Sequence, residues 1–565
     1  MPVRLIPRVA SAHESPMLIK NLLRQSNRYE PNREIVYRNL FRMNYTTFNE
    51  RVQRLAHVLT GLGVDAGDTV AVMDWDSHRY LEAFFAVPCI GAVLHTINVR
   101  LSPSQILYTM NHAIDKVVLV HEDFLPLLDA IRSQLTTVET VIVLTDKVYD
   151  ANTKQVNPTA YTAPDTTAGE YEALLAKASS TFEFPDFDEN ALATTFYTTG
   201  TTGHPKGVYF SHRQLFMHTM CLCTYVCGYQ AVSFQSGADV YMPITPMFHV
   251  HAWGFPYLAT MLSARQVYPG KYEPEMLLKL ILTEGVTFSH CVPTILNMLV
   301  SSPAAVQFRE QLSRWKVIIG GSALTKGLAT AAMKMGIRVY QGYGMSETAP
   351  IMAVTYLNDA ERNLSIEEQV PLLTQAGRIA PFVDMRLMDD EGNFMPHDGE
   401  SVGEVVARGP WMTQGYWQEP DRGDELWRHG WLHTGDVASI TPDNWVHIAD
   451  RTKDVIKTGG EWVSSLEIED LLSQIEGVAE VAVIGLPDEK WGERPHAIIV
   501  PKPEYKDRLQ PDMVKAALQS RVDQGQLNKW YVPDRVLFVT EIPKTSVGKL
   551  DKKRMRSEMK EEIMK

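Results

Sequence analysis

An α/β fold with largely parallel sheets is predicted by two observations. Short apolar runs recur along the chain, and amphipathic, helix-spaced segments lie between them. A third observation, a change of texture near residue 450, divides the chain into a large first unit and a small second one. In order, the pattern over 47–62 ends on Gly61-Leu62-Gly63 and predicts a helix. Residues 70–73, 116–120 and 141–144 are apolar and β-branched, so they read as buried strands, with a helix over 125–134. Residues 146–185 are polar and read as a loop-rich connector. Beyond the charged run 450–457, the pattern predicts a helix near 465–475, strands at 481–484 and 496–500, and a helix near 511–524. A strand at 535–539 and a charged final helix from Asp551 complete it. The expected architecture is a large multi-sheet domain over 1–450, a hinge linker over 451–456, and a small mobile α+β domain over 457–565.

At 565 residues the chain exceeds one ordinary domain, which agrees with that division. A net charge of −13 argues against a nucleic-acid partner, which needs a basic face. Five cysteines, an odd and sparse set, point to a reducing compartment. Cys221, Cys223 and Cys227 lack the spacing of a zinc site and read as helix cysteines. No apolar run reaches the ~18–20 residues of a membrane span, and Pro88 interrupts the stretch 84–94. Residues 1–17 lack the apolar core of a secretory signal, and the last three residues do not form a peroxisomal tripeptide. The expected location is cytoplasmic.

The most informative stretch is 197–207, Tyr-Thr-Thr-Gly-Thr-Thr-Gly-His-Pro-Lys-Gly. Glycines let backbone N–H groups approach an anion, and hydroxyls and an ammonium add donors, so the run is a phosphate cradle. It is not a kinase-type P-loop, because Pro205 precedes Lys206 and Gly207 follows it. Taken alone, it also reads as a Gly/Thr surface turn. Residues 242–253, Met-Pro-Ile-Thr-Pro-Met-Phe-His-Val-His-Ala-Trp, read alone as a strand end with aromatic packing. Residues 340–348, Tyr-Gln-Gly-Tyr-Gly-Met-Ser-Glu-Thr, put glycines beside Tyr343, which suits a stacked purine whose edge meets the backbone at Gln341 and Gly342. Ser346 can donate to a phosphate, and Glu347 offers oxygen to Mg²⁺. Asp436 suits two ribose hydroxyls and Arg451 adds donors, but taken alone both read as surface polar groups. Near the end, 543–550 (Pro-Lys-Thr-Ser-Val-Gly-Lys-Leu) carries Lys549 behind a glycine on a small-residue loop. The run 551–556 reads as a solvated helix face.

The order Thr-Thr-Gly-Thr-Thr-Gly-x-Pro-Lys-Gly resembles the phosphate loop of the acyl-adenylate-forming superfamily, which includes acyl-CoA synthetases, luciferases and peptide-synthetase adenylation domains. Six motifs in matching order over 197–550 carry the resemblance, and the Phe-His-Val-x-Ala-Trp form is similar to the fatty acyl-CoA synthetase branch. The resemblance implies ATP and phosphate binding by Thr198, Thr199, Gly200, Thr201, Thr202, Gly203 and Lys206. It implies an adenine and acyl border at Gly321 and Ser322, ribose binding by Asp436 and Arg451, and Mg²⁺ on Glu347. His249 would line the carboxylate end of the acyl pocket, Trp253 would gate it, and Lys549 would be the catalytic lysine. Lys453 would be the hinge, and Gly459 and Gly460 would line the CoA tunnel. Ser346 departs from the family's usual Thr.

The implied reaction is ATP-dependent ligation of a medium- or long-chain fatty acid to CoA through an acyl-adenylate. Short-chain, methylthio-substituted or aryl acids are the alternative substrates, and a non-catalytic nucleotide-binding homologue is the alternative outside the class. A luciferase-type oxygenase is disfavoured, and no carrier domain is expected within this chain. Family members are often homodimers, which sets the expectation for assembly.

Overall fold

The computed structural model describes residues 4–198, 204–228, 232–451, 453–458, 461–545 and 548–558, with backbone alone at 461–462. Three sheets organise these residues. The first has seven strands, in the order Gly169–Glu170, Thr140–Leu144, Asp115–His121, Thr69–Met73, Val93–Thr96, Leu192–Thr198 and Lys206–Ser211. Its pairs are parallel except the last, which is an antiparallel hairpin. Thr69–Met73 and Val93–Thr96 are buried at every residue, and the first reads as a near-continuous apolar run rather than an alternating one.

The second sheet has fifteen strands. Its parallel centre runs Arg265–Tyr268, Val240–Pro243, Phe288–Cys291, Lys316–Ile319, Arg338–Gly344. Beyond Arg338–Gly344 it continues antiparallel through Ile351–Val354, Gly377–Ile379, Trp445–Arg451 and Trp431–Ile440. A third sheet of five strands is built wholly from residues 456–538.

The helices Tyr45–Gly61 and Leu125–Ile131 lie where the pattern puts them, the latter finished by a tighter turn, Arg132–Gln134. Asn44 caps the first by accepting from the Thr47 N–H. The connector is more ordered than its polarity suggests. It holds the strand Gly169–Glu170 and the helix Tyr171–Lys177. Its Glu172 is buried and meets Arg51 at 2.6 Å, and Arg51 also meets the buried Glu82 at 2.7 Å. Charges that satisfy one another inside a core look, in sequence, like solvent-facing residues.

The small unit follows the predicted order: Ser465–Ser473, Val478–Asp488, Gly492–Pro501, Pro511–Asp523, Arg535–Phe538 and Lys552–Glu558. The short hairpin Ile456–Thr458 with Glu461–Val463 is an addition. The final helix is not a solvated face. Met555 is buried, and Lys552 Nζ reaches Glu469 Oε1 at 2.7 Å and Ser465 Oγ at 2.7 Å. Arg556 bonds the Lys453 carbonyl at 3.4 Å and pairs with the Asp454 carboxylate.

The two units meet along helix Ser465–Ser473. Asp470 Oδ1 accepts the Lys326 N–H at 2.9 Å, in the first turn of helix Lys326–Lys334, and its Oδ2 takes Lys326 Nζ at 2.8 Å. A methyl group on Gly327 would lie 3.0 Å from the Ser473 carbonyl, so the surfaces are in close contact. Closer to the boundary, Asp450 Oδ2 accepts from both the N–H and the Oγ of Ser465, at 2.7 and 2.6 Å.

Candidate functional site

Ligands of open α/β sheets bind beyond the carboxyl ends of parallel strands. Here Val240–Pro243 runs into the 244–249 loop, Lys316–Ile319 into Gly320-Gly321-Ser322, and Arg338–Gly344 into Ser346 and Glu347. The seven-stranded sheet delivers its own strand end, Thr198, to the same region. The hairpin register pairs Thr198 with Lys206 and Tyr197 with Gly207. Thr199, Gly200, Thr201, Thr202 and Gly203 lie outside the described residues.

Lys206 Nζ stands 4.5 Å from the centroid of the Tyr416 ring. The Tyr416 hydroxyl donates to Glu347 Oε1 at 2.7 Å, so one aromatic residue joins the cation of the phosphate hairpin to the carboxylate. The turn Ser346–Thr348 that carries Glu347 follows Gly344, where a Cβ would fall 1.7 Å from the Pro350 carbonyl oxygen, so only glycine fits. Ser346 is half-buried on that turn.

Gln341 and Tyr343 leave the same strand. The Gln341 amide is used within the protein: its Oε1 accepts the Leu324 N–H at 2.9 Å and its Nε2 donates to the carbonyls of Ser322 and Gly342 at 3.3 and 3.1 Å. Gln341 therefore shapes the 320–324 segment instead of offering free donors. The Tyr343 hydroxyl donates to Asp436 Oδ2 at 2.8 Å. Asp436 and Arg451 are partners across adjacent strands, with Arg451 Nε 3.3 Å from Asp436 Oδ1. Burial raises the Asp436 pKa, opposed by Arg451, Tyr343, Lys549 and Lys453.

Lys549 enters from the small unit. Its loop is closed by the Thr545 N–H donating to the Lys549 carbonyl at 2.7 Å and by Gly548, which has a φ of 83°. Thr294 Oγ1 donates to the Gly548 carbonyl at 3.3 Å and holds the loop against the large unit. A Cβ on Gly321, whose φ is 80°, would lie 3.0 Å from Lys549 Cε and 3.8 Å from its Nζ. Burial lowers the Lys549 pKa to about 8, with Arg451 adding to the fall and Asp436 and Glu347 opposing it. The same burial, with Lys549 and Arg100 nearby, takes His249 down to about 3, so its imidazole is neutral. Lys549, Asp436, Arg451, Glu347 and His249 thus share one cleft, and the small unit is oriented with its lysine inside it. Gly459 and Gly460 lie outside the described residues, whereas Lys453 is exposed beside the last helix.

The 244–249 loop is held by residues the sequence did not single out. Asp76 Oδ1 accepts the Met247 N–H at 2.8 Å and its Oδ2 accepts from the Tyr272 hydroxyl. Burial raises Asp76 to about 7, opposed by Tyr272, the Met247 N–H and Arg100. Thr96 Oγ1 donates to the Phe248 carbonyl at 3.1 Å. Both lie just at or beyond a parallel strand's carboxyl end, the one signal that could have found them.

After His249 the chain makes a left-handed turn. Val250, His251, Ala252 and Trp253 have φ of 49°, 53°, 48° and 59°, and Gly254 has 75°. Left-handed helical backbone costs roughly 1–2 kcal/mol per non-glycine residue, so the turn stores strain. Packing holds it: His251 Nε2 meets Thr194 Oγ1 at 2.7 Å, and Val250, Ala252 and Trp253 are buried. The turn presents the Trp253 indole to Gly320, where a Cβ would come within 2.9 Å of the ring, and to His290, at 5.0 Å between ring centres.

Residues 23–417 match the family model described as AMP-binding enzyme, and 467–549 match the AMP-binding enzyme C-terminal domain. A long-chain-fatty-acid–CoA ligase of Thermus thermophilus is 40% identical over 92% of this chain and 90% of its own. A 3-methylmercaptopropionyl-CoA ligase of Ruegeria lacuscaerulensis is 38% identical over 97% of this chain and 98% of its own. The crystal structure of ATP-bound MatB from Rhodopseudomonas palustris superposes with a TM-score of 0.80 at 25% identity, over 97% of this chain and all (100%) of that one.

Proposed function

The chain belongs to the AMP-binding enzyme family, and on that premise we propose that it is an ATP-dependent fatty acyl-CoA synthetase for medium- or long-chain acids. It is an acid–thiol ligase: carboxylic acid, ATP and CoA give acyl-CoA, AMP and pyrophosphate. The observation that carries the reading is the meeting of Lys549, from one unit, with Asp436, Arg451 and Glu347 from the other.

In the first half-reaction a carboxylate oxygen attacks the α-phosphorus of ATP, and the bond to the pyrophosphate oxygen breaks. Both reactants are anionic, so catalysis rests on positioning and charge neutralisation. Lys549 holds its ammonium at the α-phosphate and the carboxylate. Neutral His249 orients the carboxylate by hydrogen bonding. Thr198 through Gly203, Ser346 and Lys206 take the phosphates, Tyr343 and the Gly321-Ser322 and Gly342 backbone take adenine, and Asp436 and Arg451 take ribose. One carboxylate, Glu347, fits Mg²⁺, which is commonly held by one or two carboxylates with substrate phosphates. When bound, that ion neutralises phosphate charge.

The second half-reaction joins the CoA sulfur to the acyl carbonyl and releases AMP. For it the small domain, over 457–565, turns about the 451–456 linker at Lys453, withdraws Lys549 and brings Gly459 and Gly460 to the thiol's path. Trp253 gates the acyl pocket. A cytoplasmic homodimer completes the proposal. No helix among the described residues is long and apolar enough to cross a membrane.

A methylthio-substituted short acid is the second reading, favoured by the 38% identical relative and by the indole that stands against Gly320. AMP release with ATP, Mg²⁺ and CoA, run from acetate to stearate with aryl and methylthio acids added, tests both. A maximum at a medium or long aliphatic chain supports the main reading. A maximum at a methylthio acid transfers support to the second. ATP binding without AMP release would move support to an acid outside the panel, a carrier-protein acceptor, or a non-catalytic homologue.

A further inference from the structure

The two strands that flank the phosphate cradle are tied to a single helix beside the cleft. Helix Pro103–His112 starts on a capping box, in which Ser102 accepts the Gln105 N–H and the Gln105 side chain accepts the Ser102 N–H. Its Thr109 and Met110 are buried, so the helix is a fixed support. Tyr108 and His112 stand four residues apart, share one face of it and are both half-buried. Their rings stack with centres 5.2 Å apart at 16°.

Each of these two residues holds one limb of the hairpin. On the entry side, His112 Nδ1 meets the hydroxyl of Tyr197, the residue before Thr198, at 2.8 Å. Burial lowers the His112 pKa, with Glu419 opposing, which favours the neutral ring that can accept from that hydroxyl. On the exit side, the His204 ring lies on Tyr108 with centres 4.2 Å apart at 17°. His204 is exposed, so its ring does not serve to fill a core. His204, Tyr108 and His112 thus form one continuous column of rings, closed onto Tyr197 by a hydrogen bond. Trp417 adds a further tie. Its backbone N–H donates to the Gly207 carbonyl at 2.8 Å and its indole N–H to the His112 carbonyl at 3.1 Å. A Cβ on Gly207 would lie 3.1 Å from both Trp417 Cβ and Tyr197 Cζ, so hairpin and brace are in close contact.

Ordering a glycine-rich segment around an anion costs conformational entropy, and holding its two ends at a set separation beforehand lowers that cost. We propose that Tyr108, His112 and His204 are positioning residues, whose column fixes the two ends of the cradle and so strengthens binding of the triphosphate and of pyrophosphate; this rests on the reading of 197–207 as the phosphate cradle of an ATP-dependent ligase. His249 and Trp253, proposed above for the acid, follow a strand of the other large sheet, so affinity for the acid is spared.

The test uses the full-length chain and two readouts: ATP–pyrophosphate exchange with the acid that the panel above selects, and calorimetric Kd for MgATP and for inorganic pyrophosphate. His204→Ala should raise KM for ATP and pyrophosphate about two- to tenfold, the range for loss of one aromatic pair, while KM for the acid stays within about twofold. His204→Phe keeps the stack and should stay within about twofold of the unmodified chain. His204→Gln keeps a polar group without the ring and should match His204→Ala. Tyr108→Ala should raise the same constants, and adding His204→Ala to it should raise them no further, because the two rings act as one unit. Restoration by Gln and not by Phe would mean that His204 meets phosphate through a ring nitrogen, and would overturn the column. Fully additive effects, an equal rise in KM for the acid, or unchanged constants in His204→Ala would overturn it too. Because His204 is exposed, its three variants decide the matter even if Tyr108→Ala fails to fold. Absence of exchange in the unmodified chain would sink the ligase reading, and the Kd values in the same variants would still decide the column.

Discussion

The cleft lowers Lys549, the proposed catalytic lysine, toward the working pH range, which should make adenylation pH-dependent in a defined direction. Lys549 is lowered from 10.5 to about 8 by burial and by Arg451, against the pull of Asp436 and Glu347. The proposed role needs the charged form. In the free enzyme that form therefore falls to about a tenth at pH ~9, and kcat/KM for pyrophosphate exchange should drop about tenfold per unit above pH ~8. Bound ATP adds negative charge and raises the lysine, so kcat should turn down at a higher pH than kcat/KM. His249, at about 3, contributes no limb between pH ~5 and ~8. Two variants make the assignment specific. Lys549→Arg should abolish the downturn, because guanidinium stays charged, at some loss of rate. Asp436→Asn removes a carboxylate that raises Lys549 and should shift the downturn to lower pH. Lys549→Ala should cost roughly 10²–10³ in exchange rate, comparable to loss of one preorganised donor. A wild-type profile that stays flat beyond pH ~9, or a downturn that persists in Lys549→Arg, would refute the reasoning.

Three further outcomes follow from contacts described above. Tyr416→Phe removes the hydroxyl that donates to Glu347 and should raise KM for Mg·ATP about tenfold or more, read by initial rates against ATP, since a hydrogen bond to a charged group contributes about 1.5–3 kcal/mol. Ala252→Gly places glycine where φ is 48° and should stabilise the closed turn by up to ~1 kcal/mol, seen as a higher midpoint of thermal unfolding; an unchanged or lower midpoint would mean the turn is not strained. Asp470→Ala loses both the helix-end contact and the ion pair to Lys326, whose side chain is 41% exposed. An exposed pair contributes at most about 1 kcal/mol and a helix-end acceptor about as much, so adenylation should slow by about twofold to at most about thirtyfold. Thioester formation from supplied acyl-adenylate should not slow.

How far the sequence carries depends on how local each signal is. Parallel strands such as Thr69–Met73 are buried throughout and are legible from their apolar runs, as was the small domain from its alternation. The antiparallel half of the large sheet was not read: Trp445–Arg451 mixes buried and exposed residues at short intervals, and Ile351–Val354, though buried throughout, is only four residues long. In the cleft, Lys549 and the Asp436–Arg451 pair stood out only through motifs contiguous in the chain. Asp76 did not, because its partner Met247 is 171 residues away and nothing near Asp76 in sequence marks the contact. Tyr416 and Glu347 are separated by 69 residues and met only in three dimensions. The connector was misread for the opposite reason: Glu172 looks solvated until Arg51 is placed beside it.

The crowding of Lys549 against Arg451 has a mechanical consequence. Arg451, half exposed, ends the last strand before the linker, and buried Lys549 arrives with the small domain, so this orientation brings two positive groups from opposite sides of the proposed pivot toward one cleft. Part of what draws them together must be supplied by the substrate. On the proposed mechanism the triphosphate would act as a fastener between the domains, and departure of pyrophosphate would remove much of that fastening once the lysine has done its part. The leaving group of the proposed first half-reaction would thereby also be the release catch for the second.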